Sequence, residues 1–125
     1  MIVRTFLLIS DDPDDHIEFS EALYEISDDT VLVTVTDLQK AVGLLALKKC
    51  IPEYVFLNLS ISGFNPDMFF TTLEDPDLQR VNVIAFGESP DLADFHSSRI
   101  TAILGTNLSY SELKRFLEKV VKPGE

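Results

Sequence analysis

Five apolar runs rich in β-favouring residues alternate along this chain with stretches whose apolar residues recur at helical spacing. The runs are RTFLLIS (4–10), VLVTV (31–35), YVFLNL (54–59), VNVIAF (81–86) and TAILG (101–105). They do not alternate apolar with polar, so both faces of each strand need cover. A parallel sheet with helices on both sides supplies that cover. The pattern therefore predicts an α/β fold: a doubly wound, five-stranded parallel sheet with helices on both faces. In such sheets ligands bind beyond the carboxyl ends of the strands, at the point where the strand order reverses.

The intervening segments carry start and stop signals of helices. Asp12 is a plausible N-cap with Pro13 at the first helical position, where a missing N–H costs nothing. Ile17, Ala22, Leu23 and Ile26 are expected on the buried side of that helix, with Asp14, Asp15, Glu18, Glu21 and Glu25 mostly on the other. Asp37 can cap a second helix, LQKAVGLLALKK, with Leu38, Ala41, Val42, Leu45 and Leu47 as its buried stripe and Pro52 blocking continuation. Asn65-Pro66 opens a third helix, SPDLADFHSS reads as a short fourth, and SYSELKRFLEKVV closes the chain.

Composition narrows the function classes. A chain of 125 residues that is 46% hydrophobic is expected to form one domain, 1–125, with a core that needs no disulfide or metal. Its formal net charge of −11, from 21 acids and 10 bases, argues against nucleic acid or an anionic membrane as a partner. No apolar run is long enough to span a bilayer, and MIVRTFLLISDD reads as a first strand rather than a signal peptide. Cys50 is the single cysteine, in keeping with a cytoplasmic location, and is expected to act as a small buried hydrophobe. No GxSxG, P-loop or GxGxxG motif is present, and neither His16 nor His96 has metal-ligand spacing around it. The chain is read as a non-enzyme.

What stands at the strand ends is more specific. The first strand ends in Ser10-Asp11-Asp12-Pro13, the third in Asn58-Leu59-Ser60, the fourth in Gly87-Glu88-Ser89 and the fifth in Gly105-Thr106-Asn107. In order, spacing and length, over essentially the whole chain, this resembles the receiver domain of two-component response regulators, which is a flavodoxin-like fold. FLLISDDPDD and FLNLSISGFNP carry the resemblance most strongly. It implies a phosphoryl-accepting aspartate at the end of strand three, and an acidic pair after strand one that holds Mg2+ with it. It also implies a hydroxyl residue after strand four, a lysine before a proline after strand five, and an aromatic switch residue on strand five.

Carried over by position, most of that set is replaced. The acceptor position is Asn58, the first acid is Ser10 with Asp11 the match to the second, and the hydroxyl position is Gly87. The lysine position is Thr106, the proline after strand three is Ser62, and the switch position is Ile103. An amide nitrogen delocalises its lone pair, so Asn58 has no anionic oxygen to attack phosphorus. The chain thus resembles a stand-alone, degenerate receiver, a pseudo-receiver.

The resemblance implies protein partners, a histidine kinase or a downstream signalling protein, met without phosphorylation. The expected contact face is that of the fourth helix, fifth strand and fifth helix, with Phe95, Ile103 and Tyr110, and a homodimer would form through the same face. Ile103 is expected to pack inward as ordinary core. No cofactor is required. Mg2+ could meet only Asp11, Asp12 and Asn58, and weakly, because two acids are missing. Capping of a helix N-terminus explains the run Asp11, Asp12, Asp14, Asp15 almost as well, and Asn58 is read as satisfying local hydrogen bonds beside Asp11. Two other readings stay open. One is a working phosphorelay receiver with Asp11 or Asp12 as non-standard acceptor. The other is a small flavodoxin-like cofactor-binding or catalytic protein, although the first strand–helix turn lacks a phosphate-cradling Ser/Thr/Gly loop.

Overall fold

The computed structural model describes residues 4–61, 65–87, 99–104 and 108–122. In chain order these form β1 (Arg4–Ile9), α1 (Pro13–Ile26), β2 (Thr30–Val35), α2 (Leu38–Ala46), β3 (Tyr54–Asn58) and α3 (Pro66–Thr72). A 3-10 turn (Pro76–Leu78), β4 (Asn82–Phe86), β5 (Ile100–Ile103) and α4 (Tyr110–Val121) complete it. All five strands are parallel, in the order β2-β1-β3-β4-β5. The doubly wound α/β sheet expected from the alternation of runs is what forms. Here α4 is the closing helix; the expected helix over 89–98 lies outside the described residues.

Period-two geometry explains why the central runs are apolar throughout. Leu7, Ile9, Val55, Leu57, Val83 and Ala85 point to a core shared with Leu38, Ala41 and Leu45 of α2 and Phe69 and Phe70 of α3. Phe6, Leu8, Phe56 and Ile84 point the other way, onto Phe19, Ala22 and Leu23 of α1 and Leu113 and Leu117 of α4. Both alternating sets are buried, so neither can be polar. On the α1/α4 side Phe6 meets Phe56 edge-on at 5.9 Å and Phe19 meets it tilted at 5.2 Å between centroids.

The helix starts follow the sequence signals. Asp12 accepts from the Asp14 N–H at 3.0 Å, Asp37 from Lys40 at 2.8 Å and Asn65 from Met68 at 3.2 Å. Ser109 and Glu112 form a reciprocal capping box on α4. Arg4 fastens the other end of α4: its guanidinium bonds Glu53 at 2.7 and 2.8 Å and the carbonyls of Val120 and Val121.

Two apolar assignments need correction. Ile17 is exposed, and α1 buries Phe19, Ala22, Leu23 and Ile26 instead. Leu47 is also exposed, because α2 stops at Ala46 and the chain turns through Lys48 at φ 56°.

Candidate functional site

The strand order reverses about β1, whose neighbours are β2 on one side and β3 on the other. A crevice therefore opens between the carboxyl ends of β1 and β3. Ser10 and Asn58 flank it, and they are the buried polar side chains among the described residues. A buried amide and hydroxyl must find partners or cost stability.

Both are fully engaged. The Ser60 N–H donates to Asn58 Oδ1 at 2.9 Å. That bond fixes which way the amide points, since an N–H can meet only its oxygen. Asn58 Nδ2 is left to donate to Ser10 Oγ at 3.0 Å and to Asp15 Oδ2 at 3.3 Å. The Ser10 hydroxyl donates to the same Asp15 oxygen at 2.6 Å and accepts from the Asp12 N–H at 3.1 Å. His16 Nε2 lies 2.6 Å from the Ser10 carbonyl, which can only accept, so that ring nitrogen carries the proton.

Asp15 is the residue missed from sequence. It was expected on the outer side of α1, and the structure half-buries it against Ser10 and Asn58. A signal existed: with Asp12 as cap, Asp15 stands at the third helical position, where a carboxylate reaches back toward the preceding loop. Burial pushes its pKa above the ordinary aspartate value. The Ser10 hydrogen bond opposes that, Asp12 and Asp14 add to it, and His16 opposes it.

Gly87 is required on two counts. Its φ is +87°, and a Cβ would come within 2.7 Å of Asn58 Oδ1 and 3.0 Å of Ser60 Oγ. No hydroxyl-bearing side chain fits there while Asn58 keeps its orientation. The volume beside the amide is already taken.

The metal grouping expected from sequence is not the one the fold assembles. Asp12 is exposed and caps α1 through Oδ1, and Asn58 turns two N–H bonds, not lone pairs, toward Asp15 and Ser10. Asp11 is exposed. Among the described residues no three His, Cys, Asp or Glu side chains stand together as metal ligands. The donor set does not fit Mg2+, which wants converging oxygen lone pairs.

Ile103 also departs from expectation: it is 55% exposed rather than packed inward. On the edge strand β5 it pairs with Ala85 of β4, past a register shift between Val83 and Ile84. Thr106, Ser62, Ser89, Phe95 and His96 lie outside the described residues. Beside Asp15, a cleft of about 220 Å³ separates the acids of α1 (Asp12, Asp14, Glu18) from an apolar wall of Phe86, Leu104 and Leu113.

No protein-family model and no curated protein matches this chain. Solved structures do. The phosphorylated cyanobacterial phytochrome response regulator RcpA superposes with a TM-score of 0.75 at 17% identity, over 94% of this chain and 91% of that one. The response regulator RPA3017 of R. palustris, in red light signaling, gives 0.76 at 16% identity over the same shares. The fold is that of a response-regulator receiver. A third such structure, the Mn2+-bound form of the response regulator Rcp1, gives 0.75 at 18% identity over 94% and 91%. Identities this low carry the receiver fold and not the chemistry of its pocket. Among the described residues no helix is long and apolar enough to cross a membrane.

Proposed function

We propose that this chain is a receiver-like signalling protein of two-component type that works by protein–protein contact, without aspartyl phosphorylation. The observation that carries the reading is Asn58 at the carboxyl end of β3 in a receiver fold, its amide bonded at both ends. An active acceptor must be an anionic oxygen free to attack, and here the oxygen is neutral and occupied by the Ser60 N–H. Signal then leaves through shape. The exposed Ile103 on β5 offers an apolar contact to a kinase or a downstream protein, and a homodimer would use the same face.

The decisive test is intact mass after incubation with acetyl phosphate and Mg2+. The mass stays unchanged on this reading. A hydroxylamine-sensitive gain of one phosphoryl group would overturn it in favour of a working phosphorelay receiver. Ile103→Glu supplies the second half, since it should lower capture of two-component proteins while leaving the fold intact by circular dichroism.

A further inference from the structure

We propose that the crevice between β1 and β3 is sealed from within and excludes divalent cations, with Asp15 as the residue that locks it. The inference rests on the receiver fold and the pocket geometry, not on the signalling role.

The lock is legible atom by atom. Ser60 N–H holds Asn58 Oδ1, so the amide cannot turn without losing a 2.9 Å bond beneath a largely buried strand end. The Ser10 hydroxyl has one proton and two lone pairs. The proton goes to Asp15, and the lone pairs receive Asn58 Nδ2 and the Asp12 N–H. Nothing on that oxygen is left for a metal. Asp15 Oδ2 accepts from both Ser10 and Asn58. An entering cation would face two N–H bonds of the amide, whose positive ends repel it. It would have to break the Ser10–Asp15 bond and turn the Asn58 oxygen away from the Ser60 N–H that holds it. Mg2+ and Mn2+ bind only where several oxygen lone pairs converge at about 2.0–2.2 Å. This pocket offers donors where they need acceptors.

The same geometry says what would open it. Asn58→Asp replaces the donating amine with oxygen, placing a second carboxylate close to Asp15 Oδ2, now 3.3 Å from the amine. Two like charges so close repel, and a divalent cation between them relieves the repulsion.

The experiment is Mn2+ titration followed by paramagnetic broadening of backbone amides, wild type against Asn58→Asp. A chain of net charge −11 collects Mn2+ loosely over its surface, so broadening near the exposed Asp28 is the reference. In the wild type, the amides of Ser10, Leu59 and Ser60 should broaden no more than that reference. In Asn58→Asp they should broaden saturably, at roughly tenfold lower Mn2+ or less. Saturable broadening of the wild-type pocket amides below the reference concentration overturns the proposal. Equal behaviour of the two proteins overturns it too. Should Asn58→Asp fail to fold, the side-chain NH2 resonances of Asn58 in the wild type decide: unshifted by Mg2+ they support the lock, shifted saturably they refute it. Phosphodonor labelling is a separate measurement, so the lock and the signalling reading can fail independently.

Discussion

Asn58, Ser10, Gly87 and Asp15 are a fitted set, and each is intelligible only beside the others. The amide needs an acceptor, which Asp15 provides; the hydroxyl bridges them; and the glycine leaves room for the amide oxygen. Three of the four, Ser10, Asn58 and Gly87, were picked out in sequence as positions matching a receiver pocket. Asp15 was not, because four nearby acids read alike in sequence and only packing shows which one turns inward. Its pKa, raised chiefly by burial, gives a stability prediction. Between the unfolded value and the higher folded one, the native state binds more protons than the unfolded state. Stability from this group is therefore present at low pH and is lost as pH rises through the folded pKa. Asp15→Asn keeps an oxygen to accept from Ser10 and removes the charge. It should be more stable than wild type in urea at pH 7, with the difference shrinking as pH falls through the Asp15 pKa. A variant that is less stable at pH 7 would mean that the Ser10 bond outweighs the burial of charge.

At the scale of elements, legibility tracked how strongly physics constrained each residue. The central strands were plain because both faces are buried, and Asp12, Asp37 and Asn65 marked helix starts by chemistry that acts locally. Helix faces were less plain. Ile17 precedes Ala22 by five residues, about 140° beyond a full turn, whereas Phe19 precedes Ala22, Leu23 and Ile26 by three, four and seven. The end of α2 had no glycine to announce it. Lys48 takes the left-handed conformation, and its amine meets Asp75 at 3.3 Å and Asp77 at 2.7 Å. Ile103 failed because its burial depends on what lies beyond the edge strand, which no local pattern encodes. Arg4 is the long-range fastening that sequence also hides, joining β1, Glu53 and the last turn of α4 across the ring of Phe6. A lysine cannot span those groups as a planar fork does. Arg4→Lys should cost about 1–3 kcal/mol in urea denaturation and speed amide exchange in the last turn of α4. Loss of less than about 0.5 kcal/mol would show the fork to be a surface contact only.

Across the whole molecule, the question is whether the crevice and the β5–α4 face are coupled. A receiver switch needs two states of comparable energy and a ligand that binds one of them better; a ligand without differential contacts shifts nothing. In this chain the contacts that could discriminate are already made internally. The crevice is held by Ser10, Asn58 and Asp15, Gly87 has no hydroxyl to swing, and Ile103 stands exposed rather than poised between two packings. A phosphoryl mimic would also enter a region walled by Asp12, Asp14 and Glu18, where like charge repels it. The coupling free energy should therefore be close to zero, and partners should meet one resting conformation. Beryllofluoride with Mg2+ tests this when backbone amides are followed along β5 and α4. The expected spectrum is unchanged there at saturating mimic, with small shifts confined to exposed acids that collect Mg2+. Saturable shifts running from Leu59 through Ile103 into Leu113 would reveal a second state and a surviving switch. The same titration on Asn58→Asp separates the two components of the argument. Should that variant bind the cation yet leave β5 still, the pocket has been reopened while the path to the contact face remains absent.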